Sequence, residues 1–405
     1  MMSLHPQFAG QGGHAPLQSG LEGQRLSKNV EDLTEHAPLT AALLDWFRHN
    51  KRTLPWRGAY EPYQVLVSEF MLQQTQADRA AVYFERWMRR FPSLAALAAA
   101  APEDALKAWE GLGYYGRARN LHKAAQIIMR EHGGRVPDNL PALRALPGVG
   151  PYTAGAILSI AFNQPAAAVD ANVERVFARI FDVAAPVKSI VASGFIRRMA
   201  QDLIPEGQAR DFNQALMELG ALVCGKKPCC AVCPLSPFCQ ARHLGITTER
   251  PIPGKKTNYS ILETVTGILA HNGHVFIQKR LDIGVWAGFW EFPGGRLEEG
   301  ETPEQAVVRE FAEETEFTIR PVRYLGLVRH AYTRYKIAMH CFICELADTG
   351  NASSGPSASL PEPVLHAATQ YRWIEPGDID GFILPAGHRK CVDAWFPELR
   401  QPPAQ

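Results

Sequence analysis

Glu69 and Asp170 are acidic residues whose surroundings favour chemistry over simple solvation. Glu69 lies in VSEFMLQQTQ, a segment with no other charged residue, and Asp170 follows the apolar run AAAV. Two carboxyl groups in different environments suit cleavage of a glycosidic bond, because a protonated one donates to the leaving group and an ionised one stabilises the positive sugar. The alternatives are that Glu69 faces water at a helix end and that Asp170 only caps the helix that follows.

A glycine-rich turn, LPGVGPYTA, lies between these two residues in the sequence. Gly148 and Gly150 let the backbone turn tightly and approach a ligand closely. A new helix begins at Pro151, and the first N–H groups of a helix lack intrahelical partners, so they are suited to bind an anion such as a DNA phosphate. Tyr152 stands at the start of this helix. The alternative is an ordinary connector between two helices.

Five of the eight cysteines lie together in VCGKKPCCAVCPLSPFCQ, between Cys224 and Cys239. Four thiolates can bind zinc or an iron–sulfur cluster. Two CxxC pairs separated by a long loop would favour zinc, whereas one tight group closed by Cys-x5-Cys with prolines between favours iron–sulfur. The alternative is a set of inert buried thiols.

A third acidic group, Glu310, Glu313 and Glu314, lies in the helical segment PEQAVVREFAEET. Their spacing of three and four residues places the three carboxylates on one helix face. Such carboxylates repel one another unless Mg²⁺ or Mn²⁺ lies among them. The alternative is a solvated acidic helix face.

The elements that must position these residues form two or three domains in a chain of 405 residues. The formal net charge of +1 makes no global case for nucleic acid, so DNA binding would depend on local patches. No apolar stretch has the length of a membrane span, and no secretion signal is evident. We therefore expect no membrane partner and a cytoplasmic location, where cysteines stay reduced.

The pattern of the chain changes near residue 246. Residues 1–36 lack periodicity and predict a disordered tail, whereas residues 37–245 predict a succession of helices. A linker over 246–262 precedes an α+β region over 263–396, which contains the low-complexity loop NASSGPSASLPEP and ends in a short tail over 397–405. The predicted fold class is an all-α domain followed by an α+β domain.

The helical part resembles the helix-hairpin-helix DNA glycosylases of the endonuclease III superfamily, and most closely the MutY-type adenine DNA glycosylases. The matching segments are LPWR (54–57), SEFMLQQTQ (68–76), GLGYYGRARNLHKAA (111–125), LPGVGPYTAGAIL (146–158), VDANVERV (169–176) and FNQALMELGALVC (212–224). The resemblance implies a monomer that acts on double-stranded DNA containing adenine opposite 8-oxoguanine or guanine. It implies that the adenine is flipped out and its N-glycosidic bond hydrolysed.

By this resemblance Glu69 is the general acid, Asp170 stabilises the oxocarbenium ion, and Tyr152 lies beside the sugar. Endonuclease III relatives have a lysine at the position of Tyr152, and a tyrosine cannot form their Schiff base. The resemblance therefore implies a monofunctional glycosylase. The rival predictions are an endonuclease III-like lyase, a nucleotide pyrophosphatase whose helical half merely binds DNA, and a non-catalytic DNA-binding protein.

The resemblance also assigns substrate and DNA contacts. The residues that match the adenine pocket are Leu54, Trp56, Arg57 and Gln214, of which Leu54 and Trp56 have the alternative of being core. The residues that match elements entering the duplex beside the opposite base are Gln74, Thr75 and Tyr114. The remaining predicted DNA contacts are Gly148, Gly150 and Asn172. Tyr114 and Tyr115, beside Arg117 and Arg119, further predict an aromatic surface next to phosphate-binding charge.

The same family carries a 4Fe–4S cluster, with four cysteines spaced x6, x2 and x5. In this chain Cys224, Cys230, Cys233 and Cys239 give x5, x2 and x5, one residue short in the first loop, and Cys229 is a rival ligand that would spoil the x2 spacing. The resemblance implies that the cluster orders a basic loop against DNA. A second departure is Ala171, where the family commonly has glycine after the catalytic aspartate.

The C-terminal region resembles Nudix domains, because residues 295–317 nearly fill the template G-x5-E-x7-R-E-U-x-E-E-x-G-U. Glu316 replaces the glycine that ends the helix, and a left-handed residue there would be strained. In MutY-type proteins this domain reads 8-oxoguanine, and the reading loop corresponds here to Tyr332, Thr333 and Arg334. The alternative is metal-dependent hydrolysis of oxidised nucleoside triphosphates, with Glu310, Glu313 and Glu314 holding Mg²⁺.

Overall fold

A computed structural model of the chain describes residues 36–254, 260–284, 286–332, 335–347 and 360–399. Most of the predicted disordered tail therefore lies outside the described residues, as do residues 255–259 of the predicted linker. The same holds for Thr333, Arg334, the side chain of Tyr332, most of the predicted loop insertion and residues 400–405.

The chain before the linker is helical. Its helices are α1 (Ala37–Asn50), α2 (Pro62–Leu72), α3 (Ala77–Arg90), α4 (Leu94–Ala99), α5 (Pro102–Ala108), α6 (Gly116–Glu131), α7 (Leu140–Ala145), α8 (Pro151–Ile160), α9 (Ala171–Ile180), α10 (Ile190–Asp202), α11 (Ala209–Leu222) and α12 (Gln240–His243). Short 3₁₀ turns cover Pro55–Arg57, Cys230–Val232 and Ser236–Phe238. None of the helices in the described residues is both long enough and apolar enough to cross a membrane.

Local sequence determines where several helices begin. The side chains of Ser93, Asn139, Asp170 and Ser189 each accept a hydrogen bond from a backbone N–H in the first turn of the helix that follows. These short polar side chains satisfy N–H groups that have no partner within the helix.

The chain forms two compact units. The first contains the described residues of Met1–Glu69 and Pro137–Lys255, and the second those of Phe70–Val136 and Lys256–Gln405. The core of the first unit includes Phe47, Phe177, Phe212 and Leu216.

Two close backbone approaches determine where the catalytic candidates of the first unit lie. A Cβ on Gly155 of α8 would come within 2.1 Å of the carbonyl oxygen of Ala167, and one on Gly220 of α11 within 2.6 Å of the Cβ of Asn172. Only glycine permits helices to approach the backbone this closely. Helices α8 and α11 therefore pack directly against the segment that carries Asp170.

The second unit contains a six-stranded sheet. Its elements are β1 (Ser260–His271), β2 (His274–Arg280), β3 (Trp290–Glu291), β4 (Ile319–Tyr332), β5 (Tyr335–Leu346), β6 (Ala368–Ile374), α13 (Pro303–Thr315) and α14 (Ala386–Leu399). The strand order is β3-β2-β1-β5-β4, β6 pairs with β2, and β1 and β5 run parallel.

Alternating strand residues point to opposite faces of this sheet, so two apolar clusters form. One cluster joins Val265 and Phe276 to Phe311 of α13, and the other joins Ile268 and Val275 to the α14 side. The predicted fold class, an all-α domain followed by an α+β domain, is confirmed.

Candidate active site

Glu69 is a buried carboxyl group on α2, with only 3% of its surface exposed. Its Oε2 has no hydrogen-bond partner in the described residues. Burial raises the pKa of Glu69 to about 7; a hydrogen bond with the Tyr152 hydroxyl opposes this shift, and the charge of Asp170 adds to it. A glutamate facing water is therefore excluded, and this carboxyl group is partly protonated near neutral pH.

Tyr152 lies in the first turn of α8 and hydrogen-bonds to Glu69. Its hydroxyl is 3.8 Å from the sulfur of Met217 on α11. Burial, together with the nearby carboxylates of Glu69 and Asp170, raises the pKa of Tyr152 well above its ordinary value. The phenol therefore stays protonated and neutral.

Asp170 is the N-cap of α9, where its Oδ1 accepts from the N–H of Val173 at 2.8 Å. Its Oδ2 accepts from the side-chain amide of Asn172 at 2.7 Å. Two donors and the positive end of a helix stabilise a negatively charged carboxylate. The structure thus brings Glu69, Tyr152 and Asp170 together as one buried acid, one neutral phenol and one solvated, hydrogen-bonded carboxylate.

The glycine-rich turn has the predicted geometry at its glycines. Gly148 is left-handed, with φ of +79°, and Gly150 is the N-cap of α8. Because glycine has no side chain, no capping group lies over the start of this helix.

Four residues predicted for the adenine pocket lie in the first unit. Leu54 and Trp56 are buried, as expected of either a pocket wall or the core. The Nε of Arg57 donates to the Oε1 of Gln214 at 3.0 Å. The amide group of Gln214 is therefore oriented, with its oxygen toward the guanidinium and its nitrogen 3.4 Å from the hydroxyl of Tyr60.

Glu218 was missed by the sequence reasoning although it anchors this group. Its carboxylate accepts from Arg57 at 2.9 Å and from Arg52 at 2.8 Å. Burial alone would raise the pKa of Glu218, but the hydrogen bonds and charges of the two arginines outweigh it and lower the pKa to about 2. The spacing of Gln214 and Glu218, one helical turn apart in FNQALMELG, is the signal that could have indicated it.

The residues predicted to enter the duplex lie in the second unit. Gln74 and Tyr114 have φ of +58° and +49°, left-handed conformations that are unusual outside glycine. The Tyr114 side chain is 42% exposed, and the hydroxyl of Thr75 accepts a hydrogen bond from Arg117 at 3.1 Å.

Tyr114, Tyr115, Arg117 and Arg119 were predicted to form an aromatic surface next to phosphate-binding charge. The prediction is wrong for Tyr115, Arg117 and Arg119. Arg117 is buried among backbone carbonyl groups, and Tyr115 packs edge-on against Phe289 with ring centroids 4.7 Å apart. Arg119 donates to the carbonyl of Ala287 and lies over the ring of Phe289. These three side chains make contacts within the protein, and Tyr114 is the most exposed of the four while Arg119 is partly buried.

The cysteines Cys224, Cys230, Cys233 and Cys239 line a common pocket with Arg179 and Arg242. Cys229 lines it as well but is exposed, whereas the other four are partly buried. Burial raises the pKa of the Cys233 thiol to about 11, and the neighbouring thiols contribute. The guanidinium of Arg179 donates to the sulfur of Cys224 at 3.2 Å.

In the part of the chain that the structure describes, no group of three or more His, Cys, Asp or Glu side chains is arranged to hold a metal ion. A cluster of four irons differs from a single ion because its thiolates surround a larger body. Four soft sulfur donors around one pocket, with a cation beside them, fit such a cluster.

Arg309 forms ion pairs with several of the carboxylates on and beside the acidic helix α13 of the second unit. Arg309 donates to Glu301 at 2.9 Å, to Glu310 at 3.0 Å and to Glu313 at 3.1 Å. Glu314 accepts from Gln278 and from the N–H of Gly294. Arg309 thus relieves part of the mutual repulsion that led to the prediction of Mg²⁺, while burial and the neighbouring carboxylates Glu291 and Glu310 raise the pKa of Glu314 to about 8.

Glu316 ends α13 in the left-handed conformation, with φ of +58°. It therefore occupies the conformation that the glycine of the Nudix template supplies. Its side chain accepts from His366 at 2.9 Å.

Comparison with known proteins agrees with this division. Residues 67–204 match the HhH-GPD superfamily of base excision DNA repair proteins, and residues 264–394 match the NUDIX domain. An adenine DNA glycosylase of Mus musculus is 33% identical over 395 residues, which cover 84% of this chain and 76% of the relative. One from Homo sapiens is 33% identical over 386 residues, covering 80% and 70%.

An adenine DNA glycosylase of Mycobacterium tuberculosis is 44% identical over 224 residues, which cover 54% of this chain and 72% of the relative. The buried acid, the neutral phenol and the helix-capping carboxylate all lie within the matched helical domain. By its sequence and its domain composition, the chain belongs to the adenine DNA glycosylases, with an HhH-GPD domain followed by a NUDIX domain.

Proposed function

We propose that this adenine DNA glycosylase of base excision repair removes adenine opposite 8-oxoguanine or guanine from double-stranded DNA and leaves an abasic site. The observation that carries this proposal is the buried Glu69 carboxyl group, hydrogen-bonded to Tyr152 and near Asp170. We further propose that residues 37–245 form the glycosylase domain and residues 263–396 the lesion-reading domain, and that the protein acts as a monomer.

Glu69 supplies the proton. A carboxyl group with a pKa of about 7 can donate to a ring nitrogen of adenine, which makes the base a better leaving group. Its Oε2 has no partner in the described residues and is therefore available to a substrate atom. Because the acid is buried, a base stacked in duplex DNA could not reach it, and the adenine must be flipped out.

Asp170 stabilises the positive charge that develops on the sugar as the bond breaks. A water molecule then adds to the sugar carbon and gives its proton to Glu69, which has passed its own proton to adenine, so the hydrolysis is complete. The two hydrogen bonds of Asp170 and its place at the start of α9 hold the carboxylate in one orientation before the reaction, which is how preorganised charge lowers a barrier. Asn172 acts here by holding Asp170.

The enzyme is monofunctional in this proposal. Strand cleavage by endonuclease III relatives uses a lysine amine that forms a Schiff base, and the phenol of Tyr152 has no such chemistry. Its raised pKa also keeps it neutral, so Tyr152 donates a hydrogen bond and shields the sugar from bulk water.

Leu54, Trp56, Arg57 and Gln214 form the adenine pocket in this proposal. The fixed amide of Gln214 and the guanidinium of Arg57 present defined donors and acceptors, and the two apolar side chains supply the walls. Gly148 and Gly150 bring the start of α8 close to the backbone of the DNA, where its N–H groups face phosphate.

Cys224, Cys230, Cys233 and Cys239 hold a 4Fe–4S cluster in this proposal. When bound, the cluster would cross-link the loop that carries these cysteines. It would have no redox role, because hydrolysis of a glycosidic bond transfers no electrons. Lys226 and Lys227, within that loop, then contribute positive charge toward DNA.

The C-terminal domain reads 8-oxoguanine rather than hydrolysing nucleotides. Phe289 of that domain packs on Tyr115, the residue next to Tyr114, so the domain lies beside the side chain expected to enter the duplex. Two of the three carboxylates predicted to hold Mg²⁺, Glu310 and Glu313, are already paired with Arg309, and Glu314 accepts from Gln278 and Gly294. In this proposal Tyr332 and Thr333 contact the lesion.

An end-labelled duplex with a single adenine opposite 8-oxoguanine tests the whole proposal. After incubation without added metal, half of the sample is run directly on a denaturing gel and half is heated in alkali first. Cleavage only after alkali is expected. Cleavage without alkali would contradict monofunctional action, and intact strands in both lanes would refute adenine excision.

A further inference from the structure

One buried side chain joins the two loops predicted to enter DNA. The first loop, residues 73–76, follows α2, and the second loop, residues 111–115, precedes α6. Arg117, in the first turn of α6, is only 7% exposed. Its Nη1 donates to the carbonyl oxygens of Met71 at 2.7 Å and Gln73 at 2.6 Å, and its Nη2 donates to that of Gly113 at 2.9 Å.

Further acceptors surround the two terminal nitrogens of this guanidinium, whereas its buried Nε has no hydrogen-bond partner in the described residues. Nη1 is 3.1 Å from both the carbonyl oxygen of Phe70 and the hydroxyl of Thr75, and Nη2 is 3.3 Å from the carbonyl oxygen of Leu112. One guanidinium nitrogen thus serves the first loop and the other serves the second.

Each loop contains one residue in an energetically unfavourable backbone conformation. Gln74 and Tyr114 have left-handed backbones, which non-glycine residues adopt at an energetic cost. These are also the two residues expected to enter the duplex. The carbonyl groups that Arg117 binds lie within four residues of Gln74 on the first side and within two residues of Tyr114 on the second.

A positive charge also lies beneath the exposed aromatic ring. The guanidinium carbon of Arg117 is 5.7 Å from the ring centre of Tyr114 and 5.1 Å from that of Trp109. Among the ion pairs of the described residues none involves Arg117, so its charge faces carbonyl dipoles, the Thr75 hydroxyl and aromatic rings.

We propose that Arg117 is a positioning residue that locks both loops into one rigid wedge, so that Gln74 and Tyr114 enter the duplex together. The inference rests on the proposed adenine excision. A lysine cannot replace this arginine, because its donors radiate from one nitrogen whereas the two guanidinium nitrogens reach two loops at once.

The consequence is specific to the opening of the base stack. If the wedge loosens, adenine in an intact duplex is extracted more slowly, while an adenine that needs no extraction is cleaved at nearly the normal rate. A general folding defect would lower both rates alike.

The experiment compares wild type, Arg117→Lys and Thr75→Val on two duplexes under single-turnover conditions. One duplex is continuous with adenine opposite 8-oxoguanine, and the other has a gap opposite the adenine so that no partner must be displaced. For Arg117→Lys we expect a loss of about 100-fold on the continuous duplex and less than about fivefold on the gapped one, since unstacking is what the wedge supplies. Thr75→Val removes one acceptor and should show the same selectivity with a smaller loss.

Arg130→Lys is the matched control, because Arg130 lies on the same helix and pairs only with its neighbour Glu131 on the surface. It should change neither rate. Equal losses on the two duplexes, or none on the continuous one, would overturn the inference. Where Arg117→Lys does not fold, as judged by its thermal transition, Thr75→Val decides by the same criterion. A wild type inactive on both duplexes would instead refute the proposed function.

Discussion

Glu69 in the first unit and Glu291 in the second are both almost fully buried, 3% and 4% exposed, and burial raises the pKa of each to about 7. Their partners differ. Both oxygens of Glu291 accept from Arg280, at 2.6 and 2.8 Å, whereas Oε2 of Glu69 has no partner in the described residues. A raised pKa alone therefore does not identify a catalytic acid. The unpartnered oxygen is what supports Glu69 as the proposed acid, because that oxygen can contact a substrate atom.

The acidic helix α13 extends the same contrast. One face of it carries three carboxylates, enough for a metal site. Arg309, however, pairs with two of them, Glu310 and Glu313, and with Glu301 just before the helix. Glu310 and Glu313 thus have a cation beside them, whereas Oε2 of Glu69 has no partner in the described residues. The following variants test that distinction, beginning with the largest expected effect.

Glu69→Gln should abolish adenine excision, with a loss of about 1,000-fold or more, because general acid catalysis typically contributes 10²–10⁴. Duplex binding should stay within a few-fold of wild type, because the shape of the side chain is retained. Single-turnover cleavage and a binding titration on the same lesion duplex measure the two quantities. Glu291→Gln is the matched control and should leave the excision rate unchanged. Near-normal turnover by Glu69→Gln would remove Glu69 from the acid role.

Asp170→Asn should lower the excision rate by about 100-fold, the scale on which one preorganised electrostatic contact contributes to a rate. An asparagine oxygen still caps α9, so the melting temperature should change little. A large fall in melting temperature with a proportionate loss of activity would instead mean that Asp170 serves only as a helix cap.

The excision rate should fall with rising pH about tenfold per unit above pH 7, because Glu69 must be protonated to donate and its pKa is about 7. The free energy of unfolding should also depend on pH through Glu69. The folded-state pKa lies above the unfolded value of 4.5, so wild type loses stability as the pH rises from about 4.5 to about 7. Glu69→Gln should remove this loss and be more stable at pH 8 by up to about 3 kcal/mol, with no gain near pH 4.

Urea titrations at the two pH values measure this difference in free energy of unfolding. Glu291→Gln should show a similar gain between pH 4 and pH 8, because the pKa of about 7 for Glu291 already includes the opposing effect of Arg280. The pH dependence of stability therefore reports burial at both sites, and only the excision rate should separate them. A gain at pH 8 for neither variant would contradict the raised pKa values.

Sequence reasoning found the residues whose signal is local. Glu69 is an isolated charge in an apolar segment, Asp170 precedes a helix, and Glu316 stands at a position that favours glycine. It misassigned Arg117 and missed Glu218, because the partners of Glu218 and the acceptors of Arg117 Nη1 lie more than 40 residues away in the chain and only the packing of helices brings them together. A buried arginine among carbonyl groups and an exposed one facing phosphate have the same one-letter code. The surrounding fold alone distinguishes them.

Arg309→Met would leave the carboxylates at the acidic helix without a cation, as Glu69 is among the described residues. Glu301, Glu310 and Glu313 would lose their shared cation and repel one another, so the melting temperature of the C-terminal part should fall at pH 8. Added Mg²⁺ should restore part of the loss in this variant and have little effect on wild type. The measurement is a thermal melt with and without Mg²⁺. An equal Mg²⁺ response in both proteins would mean that the carboxylates are available to a metal despite Arg309.

Glu316→Gly gives the smallest effect, and it opposes the usual result of introducing glycine. Glu316 holds φ of +58° at the end of α13, where glycine has no steric penalty. Relief of that strain should stabilise the protein by about 1 kcal/mol, and loss of the exposed contact with His366 should offset little of it. Glu313→Gly, in the helix interior three residues earlier, should instead destabilise by about 1 kcal/mol. If both substitutions destabilise equally when measured by urea titration, the left-handed residue carries no strain. The departure of Glu316 from the Nudix template would then have no cost to the fold, and the contact with His366 would be the reason that it is tolerated.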